Sequence, residues 1–207
     1  MHIAIVGNIG AGKTTLAHRL AQHFRWEEFL EEVADNPYLK DFYADMPRWA
    51  FHLQVYFLNE RFRQTQHIKA LVQAGKSVVQ DRTIYEDAHI FAANLHQSGL
   101  LAERDYANYY ALFESLISLV EPPDLLLYRR ADLPKLIGQI EKRGREYEDS
   151  ISIEYLRNLN EQYERWIAGY EHGKLLIVDV NELDYVRRPE DLGDIIERIN
   201  SKLFGLF

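Results

Sequence analysis

The sequence predicts a doubly wound α/β fold, in which helices flank both faces of a five-stranded parallel sheet. Short segments rich in Val, Ile and Leu, with no polar alternation, are separated along the chain by longer amphipathic segments. Unbroken apolarity over the length of a strand indicates burial on both faces, which is typical of a parallel sheet covered by helices. Strands that alternate with helices favour right-handed crossover connections.

Each element follows from this pattern. Strands are predicted over residues 2–6, 28–33, 77–80, 124–127 and 175–178, of which 28–33 is heavily acidic. Helical spacing of apolar residues predicts helices over 13–24, 49–74, 85–95, 103–120, 133–142, 153–170 and 190–203. Pro122, Pro123 and Gly173 separate elements without separating domains. With 207 residues, residues 1–207 are expected to form a single domain.

Composition excludes several classes of protein. Lys and Arg number 24 against 32 Asp and Glu, a net charge of −8, which disfavours general binding of nucleic acid. The absence of cysteine excludes disulfides and thiolate zinc sites. No apolar run is long enough to cross a bilayer, and the N-terminus lacks the features of a signal peptide. We therefore expect a cytoplasmic protein that binds neither nucleic acid nor membrane.

A glycine-rich loop lies between the first strand and the first helix. In the G-x-x-x-x-G-K-[ST] pattern, backbone N–H groups surround phosphate oxygens and the helix N-terminus adds positive charge. Lys13 would reach the β- and γ-phosphates, and the Thr14 hydroxyl would bind Mg²⁺. The alternative is a strand–helix turn that binds no ligand. The residues assigned to ATP here are Gly7, Asn8, Ile9, Gly10, Ala11, Gly12, Lys13, Thr14 and Thr15.

Two further segments are candidates for chemistry on phosphate. Asp81, Arg82 and Thr83 follow the strand 77–80 directly, where ligands bind in open α/β sheets. Arg143 and Arg145 belong to a charged run between two helices, which suits a mobile lid over residues 143–150. The alternatives are a salt-bridged helix start for the first segment and a solvated turn for the second. A GTPase is disfavoured because Asn181-Glu182-Leu183-Asp184 lacks the lysine of N-K-x-D.

Polar residues at helical spacing indicate a site for a nucleobase. Gln54 and Arg61 lie two helical turns apart on one face, and Asp87 and Phe91 lie one turn apart on the next helix. A glutamine amide, an arginine and a carboxylate can together recognise donors and acceptors of a base edge.

In these motifs the chain resembles the deoxyribonucleoside kinase family, in particular the bacterial deoxyadenosine/deoxyguanosine kinases. The resemblance extends from the phosphate loop nearly to the C-terminus. The matching segments are Leu30-Glu31-Glu32-Val33, Asp35-Asn36-Pro37-Tyr38-Leu39, Phe42-Tyr43, 49–54 with Arg61, 81–87 with Phe91, Arg143-Gly144-Arg145 with Glu148, and Asp179-Val180-Asn181.

The resemblance implies roles at the reacting centre. Glu31 would be the general base that takes the proton of the 5′-hydroxyl, and Arg82 would hold that carboxylate and the hydroxyl in line. Lys13 would stabilise the transferred phosphoryl group, and Asp81 would support Mg²⁺ together with Thr14.

The resemblance also implies the binding contacts. For the sugar of the acceptor, Tyr43 and Glu148 would hold the 3′-hydroxyl, and Leu53 belongs to the sugar- and base-binding stretch. For its base, Phe91 would stack on the ring, and the residues that would recognise its polar edge are Gln54, Arg61 and Asp87. For the donor, Arg143 and Arg145 would close over the phosphates, and Asp179, Val180 and Asn181 would cradle the adenine.

Two positions depart from the family pattern. Glu32 stands where proline is frequent, so Glu31 and Glu32 are both candidates for the base. Gln139 stands where some relatives carry another phosphate-binding arginine, so the lid would rely on Lys142 or on its remaining arginines.

The expected activity is transfer of the γ-phosphoryl group of ATP to the 5′-hydroxyl of a purine deoxynucleoside, with Mg²⁺ as the cofactor. Among the purine deoxynucleosides, we expect deoxyadenosine to be the acceptor. Deoxyguanosine and deoxycytidine are alternative acceptors. Thymidylate kinase and a non-catalytic regulator with a phosphate loop are rival interpretations. A homodimer is expected, with the helices over 49–74 and 103–120 as the interface, although core packing explains their aromatic residues equally well.

Overall fold

The computed structural model describes residues 1–31, 36–145, 148, 151–184 and 188–205. Within these residues, five parallel strands form one sheet in the order β2-β3-β1-β4-β5. This is the doubly wound architecture that the alternation of strands and helices predicts. The strands are β1 (His2–Val6), β2 (Glu27–Phe29), β3 (Val78–Asp81), β4 (Leu125–Arg130) and β5 (Lys174–Asp179).

Helices connect successive strands on both faces of the sheet. A π-helical segment, Asp87–Ala92, joins two short α-helices into one continuous element. The α-helices are α1 (Lys13–Phe24), α2 (Leu39–Ala44), α3 (Met46–Gln73), α4 (Ile84–Glu86), α5 (Ala93–Gln97), α6 (Glu103–Ile117), α7 (Leu133–Arg143), α8 (Ile153–Ala168) and α9 (Pro189–Phe204).

The central strands are buried on both faces, as their unbroken apolarity predicts. On β1, Ala4 and Val6 pack into one hydrophobic cluster, whereas Ile3 and Ile5 pack into a second cluster on the opposite face. Successive side chains of a strand point to opposite faces, so one strand contributes to both halves of the core. None of the helices in the described part of the chain is long and apolar enough to span a membrane.

The largest differences between the observed and the expected elements are in four places. The strand predicted over 28–33 is instead Glu27–Phe29, a short edge strand paired only with β3, and residues 32–35 lie outside the described residues. Helix α3 begins at Met46 and not at residue 49, because the Asp45 carboxylate caps the Arg48 N–H and Pro47 occupies the first turn. Helix α2 was not predicted because its six residues are too few to show a period.

The fourth difference concerns the segment predicted as one α-helix over 85–95. Its middle six residues are π-helical. A π-segment alters the angular position of the side chains that follow it, and such segments are frequent at functional sites. Asp87 and Phe91 both lie in this segment.

A chain of hydrogen-bonded polar side chains, buried at His2 and Gln80 and half-buried at Gln64, begins at the first residue of β1. Nε2 of His2 lies 2.9 Å from Oε1 of Gln80, whose Nε2 donates to Oε1 of Gln64, and Gln64 Nε2 donates to the carbonyl of Leu30. Burial lowers the pKa of His2 to about 4, in spite of the opposing effects of Gln80 and Asp124. His2 is therefore neutral in the folded protein at neutral pH.

We predict that His2 makes folding acid-sensitive. The unfolded state binds a proton near pH 6.5 and the folded state only near pH 4, so stability falls as the pH drops through that window. The linkage between proton binding and folding predicts that the free energy of unfolding falls by about 2 kcal/mol between pH 7.5 and pH 5. Urea unfolding of His2→Gln should show a pH dependence smaller by that amount, and His52→Gln, which replaces an exposed histidine, should behave like the unmodified protein. Equal pH dependence in all three proteins would contradict the prediction.

Candidate active site

A cavity of about 530 Å³ opens at the carboxyl ends of β1, β2 and β3. In a parallel α/β sheet this edge is where loops from different strands converge on a ligand. The phosphate loop forms one wall, the α2–α3 region and the π-segment form a second, and the end of α7 forms a third. Most of the predicted site residues line it: Ile9, Gly10, Gly12, Lys13, Thr14, Thr15, Glu31, Tyr43, Leu53, Gln54, Asp81, Arg82, Asp87, Phe91, Arg143, Arg145 and Glu148.

The phosphate loop is held in shape by its own residues and by α8. Lys13 Nζ and the N–H of Ala11 both donate to the carbonyl of Asn8, each at 3.1 Å. The Asn8 side chain accepts from the N–H of Ile9 and donates to Oδ1 of Asn160 on α8. Helix α1 starts within the loop and has no side-chain cap, so its first turn presents N–H groups that suit an anion.

Thr14 and Asp81 join the loop to the end of β3. The Thr14 hydroxyl donates to Oδ2 of Asp81 at 2.5 Å. The other carboxylate oxygen, Oδ1, is buried and has no hydrogen-bond partner among the described residues. A buried carboxylate oxygen without a partner is costly, so this atom is suited to a cation or its bound water.

Glu31 lies across the cavity from the loop and is held by two arginines. Its Oε1 is 2.8 Å from Nη2 of Arg61 and 2.8 Å from Nε of Arg82. Burial alone would raise the pKa of Glu31, but the guanidinium groups of Arg82 and Arg61 outweigh burial and lower the pKa to about 2. The carboxylate is therefore ionised at neutral pH. Glu32, the other candidate base, lies outside the described residues.

Arg82 occupies an unusual backbone conformation. Its φ is 72°, a left-handed value that costs a non-glycine residue of order 1–3 kcal/mol. The conformation turns the chain sharply after β3 and directs the guanidinium toward Glu31. The guanidinium carbon also lies 4.5 Å from the centre of the Phe91 ring, a cation–π distance, so one face of Phe91 packs against Arg82.

The predicted base-recognition residues are brought together, with one difference. Gln54 and Asp87 line the cavity, and Gln54 Oε1 is buried with no hydrogen-bond partner in the described part of the chain. Arg61 lies behind this wall, where its Nε is 3.5 Å from Oδ2 of Asp87 and its Nη1 donates to the carbonyl of Asp81. Arg61 thus orients Glu31 and Asp87 and does not itself line the cavity.

Burial dominates the acid–base behaviour of Asp87. Desolvation raises the pKa of its carboxyl to about 7, although Arg61 opposes the shift. Asp87 therefore changes charge near neutral pH, whereas Glu31 does not.

The arginines assigned to the lid contact the carboxylate assigned to the sugar. Arg143 donates two hydrogen bonds to Glu148, at 2.9 Å and 2.5 Å, and Arg145 lies 3.5 Å from the same carboxylate. Gln139 and Lys142 also line this side of the cavity. Of the lid predicted over 143–150, residues 146, 147, 149 and 150 lie outside the described residues, so the lid stays a prediction.

Asp179, Val180 and Asn181, assigned to the donor adenine, lie at the end of β5 and do not line the cavity. Asp179 Oδ1 accepts from the N–H of Asn181, and the Asn181 side chain accepts from the N–H of Asp132 at the start of α7. These bonds fix the β5 loop beside α7.

Sequence reasoning missed a buried carboxylate next to these groups. Glu86 is fully buried, and it accepts hydrogen bonds from the N–H of Gly7 and from the hydroxyl of Tyr163 on α8. Thr83 and Glu86 form a capping box at the start of α4. The T-x-x-E spacing of such a box is visible in the sequence, so the position of Glu86 could have been found there, but the contact with Tyr163 could not.

Comparisons with known proteins show the family to which the chain belongs. The family model described as deoxynucleoside kinase matches residues 3–204. The chain belongs to the deoxynucleoside kinase family, and it is an enzyme that phosphorylates deoxynucleosides. The predicted family, enzyme class and doubly wound fold are therefore confirmed.

Individual relatives are similar over nearly the whole chain. The deoxyadenosine/deoxycytidine kinase of Bacillus subtilis (strain 168) is 39% identical over 96% of this chain and 91% of its own length. The deoxyadenosine kinase of Dictyostelium discoideum is 42% identical over 95% of this chain and 78% of its own. A structure of the deoxyadenosine kinase from M. mycoides with dCMP and dCDP aligns with a TM-score of 0.85 at 32% identity, over 97% of this chain and 100% of that one. Relatives named deoxyguanosine kinase and deoxycytidine kinase also match.

We predict that Gly10→Ala distorts the phosphate loop. Gly10 has a φ of +82°, and a Cβ there would lie 2.7 Å from the carbonyl oxygen of Leu136 and 2.9 Å from Ile140 Cγ1. Backbone strain and the contact with α7 should together lower the free energy of unfolding by at least about 2 kcal/mol. Gly138→Ala on α7 is the matched control, because its Cβ would meet no atom within 4 Å, and it should raise stability by up to about 1 kcal/mol. Urea unfolding measures both, and equal stability of the two variants would contradict the prediction.

Proposed function

We propose that this deoxynucleoside kinase transfers the γ-phosphoryl group of ATP to the 5′-hydroxyl of a purine deoxynucleoside, with deoxyadenosine preferred. The observation that supports the reaction is the ionised Glu31 carboxylate, held by Arg61 and Arg82 across the cavity from the phosphate loop. A carboxylate in that place suits an uncharged hydroxyl and would repel an acceptor that already carries a phosphate. The site therefore favours a nucleoside kinase over a thymidylate kinase.

The chain's own residues act mainly by positioning. In the loose transition state of phosphoryl transfer, charge spreads over the equatorial oxygens, and catalysis depends on alignment and electrostatic stabilisation. Lys13 and the loop N–H groups stabilise the phosphoryl oxygens, and Glu31 orients the 5′-hydroxyl. With a pKa of about 2, Glu31 takes the proton late, after the 5′-oxygen has begun to bond to phosphorus and its proton has become acidic.

The residues present fit Mg²⁺. Thr14 supplies a hydroxyl oxygen, and the buried Oδ1 of Asp81 has no other partner among the described residues. Magnesium prefers oxygen ligands, keeps several waters and uses few protein groups. When bound with ATP, it would neutralise charge on the β- and γ-phosphates.

The remaining contacts complete the two substrate sites. Tyr43 and Glu148 line the acceptor side of the cavity and would bind the 3′-hydroxyl. Arg143 and Arg145 would exchange Glu148 for the donor phosphates on closure, and the β5 loop at 179–181 would bind the donor adenine.

The choice of base rests on unsatisfied polar atoms in the cavity wall. Among the described residues, the buried amide oxygen of Gln54 has no hydrogen-bond partner, and Asp87 in its ionised form is an acceptor. The Oε1 atom of Gln54 and the ionised carboxylate of Asp87 accept hydrogen bonds from an exocyclic amino group, such as N6 of adenine, and neither can donate to the O4 carbonyl of thymine. Deoxycytidine is the second candidate, because its N4 amino group satisfies the same atoms.

We also propose a homodimer that uses α6 together with α3. Leu112 and Leu119 on the α6 side are 42% and 58% exposed, and large exposed apolar side chains favour an interface. The cytoplasmic location stays a prediction of the sequence.

We predict that Glu31→Gln lowers kcat about a hundredfold or more while ATP affinity is retained. The amide cannot accept the proton, and general bases contribute ~10²–10⁴-fold. Steady-state kinetics with a nucleotide-binding titration tests this, with Glu32→Gln as the control. Retained turnover in Glu31→Gln together with its loss in Glu32→Gln would reassign the base.

We further predict that recognition of amino-bearing bases depends on pH through Asp87. Because its pKa is about 7, the acceptor form is lost as the pH falls, so kcat/KM for deoxyadenosine should drop from pH 7.5 to pH 6. Asp87→Asn should flatten this dependence and lower kcat/KM about tenfold, the cost of a mismatched buried polar group. A panel of deoxynucleosides measures both effects, and a preference for thymidine in the unmodified enzyme would reject the proposed base recognition.

A further inference from the structure

We infer that Glu86 is a positioning residue for phosphoryl transfer. Because it contacts both the phosphate loop and Arg82, it fixes the position of one relative to the other. This inference rests on the proposed reaction but not on the identity of the base. Glu86 does not line the cavity, so it acts through the groups that it contacts.

Glu86 accepts hydrogen bonds from three separate parts of the chain. Its Oε1 accepts from the N–H of Gly7, the first residue of the phosphate loop, at 3.3 Å. The same oxygen lies 3.5 Å from Nη1 of Arg82 and accepts from the Tyr163 hydroxyl at 2.6 Å. One buried carboxylate thereby connects the donor side, the acceptor side and helix α8.

A helix cap alone does not explain this carboxylate. The second oxygen, Oε2, accepts from the N–H of Thr83 at 2.7 Å, which is the ordinary function of a capping box. Oε1 takes no part in that bond and is directed at Gly7, Arg82 and Tyr163. Complete burial of an ionisable group is expensive unless several donors satisfy it, and two of these donors, Gly7 and Arg82, belong to the loops proposed to carry the catalysis.

The contacts of Glu86 Oε1 with Gly7, Arg82 and Tyr163 are here called the brace. The turn at Arg82 makes this brace necessary. Arg82 has the left-handed φ described above, and its backbone is held by a bond from its N–H to the carbonyl of Ile5. Its guanidinium is held between Glu31 on the cavity side and Glu86 with Tyr163 on the core side, where the Tyr163 oxygen is 3.1 Å from Nη1. Without the core-side contacts, the Glu31 ion pair and the Phe91 ring would be the restraints left on the guanidinium among the residues that the structure describes.

Loss of this brace should reduce turnover more than substrate binding. The 5′-oxygen and the γ-phosphorus must be aligned to a fraction of an ångström, and a displacement of about 1 Å costs on the order of 10²-fold in rate. Glu86 makes none of the contacts proposed for the base, and among the described residues its bond to the phosphate loop is to the N–H of Gly7, the first residue of that loop.

The test compares two buried tyrosines whose rings stack on each other 5.7 Å apart. Tyr163→Phe removes the hydroxyl that bonds to Glu86, whereas Tyr128→Phe removes a hydroxyl that bonds to the surface residue Glu164. We expect Tyr163→Phe to lower kcat at least fivefold and Glu86→Gln at least tenfold, with both KM values within about threefold of the unmodified enzyme. Tyr128→Phe should leave kcat within twofold. Each variant is assayed with the deoxynucleoside that the unmodified enzyme phosphorylates fastest, and rates are corrected for the folded fraction.

A double-mutant cycle separates positioning from general destabilisation. Tyr163→Phe should add little to the loss in a Glu86→Gln background, since both changes break the same brace. If Glu86→Gln does not fold, the two tyrosine variants still decide the matter. The inference is overturned if folded Tyr163→Phe keeps kcat within twofold, or if Tyr128→Phe loses as much. A wrong choice of base or a reassigned Glu31 would leave these comparisons unchanged, so the two proposals fail separately.

Discussion

The site depends on the contact between Arg82 and Glu31. A half-buried carboxylate at a sheet edge is costly alone, and here the guanidiniums of Arg82 and Arg61 compensate for its desolvation and hold its pKa at about 2. The position of Arg82 depends in turn on its left-handed backbone, on β1 through the Ile5 carbonyl, and on Glu86. The geometry of this ion pair at the cavity surface therefore depends on contacts with β1 and with the buried Glu86 behind it.

The carboxyl groups of Glu31 and Asp87 have very different pKa values, although both contact Arg61. Glu31 stays ionised because arginines outweigh burial, whereas burial outweighs Arg61 at Asp87 and raises its pKa to about 7. Arg61 contacts both carboxylates, at 2.8 Å and 3.5 Å. The same arginine thus links the proposed base Glu31 to Asp87, which is proposed to recognise the nucleobase, so a change at one of these carboxylates is expected to affect the other.

Much of this arrangement is predictable from sequence. The phosphate loop, Asp81-Arg82-Thr83 and the pair Gln54 and Asp87 lie in segments whose strand or helix assignment follows from apolar periodicity, and the order of the parallel strands brings their ends to one edge. The less predictable parts are those without a period. The acidic edge strand is shorter than expected, α2 is too short to show a pattern, and the π-segment between α4 and α5 cannot be distinguished from an α-helix by spacing alone.

The sequence by itself determined the class of chemistry, because the phosphate loop, the Asp–Arg pair and the polar residues proposed to recognise the base are each defined by residue type and local spacing. Only the tertiary structure decided which groups touch. It placed Arg61 behind the cavity wall, paired the lid arginines with Glu148, and joined Glu86 to Tyr163, which is 77 residues away in the chain. Local spacing cannot encode such contacts, since they form between elements whose distance is set by packing and whose partners are chosen by burial and charge.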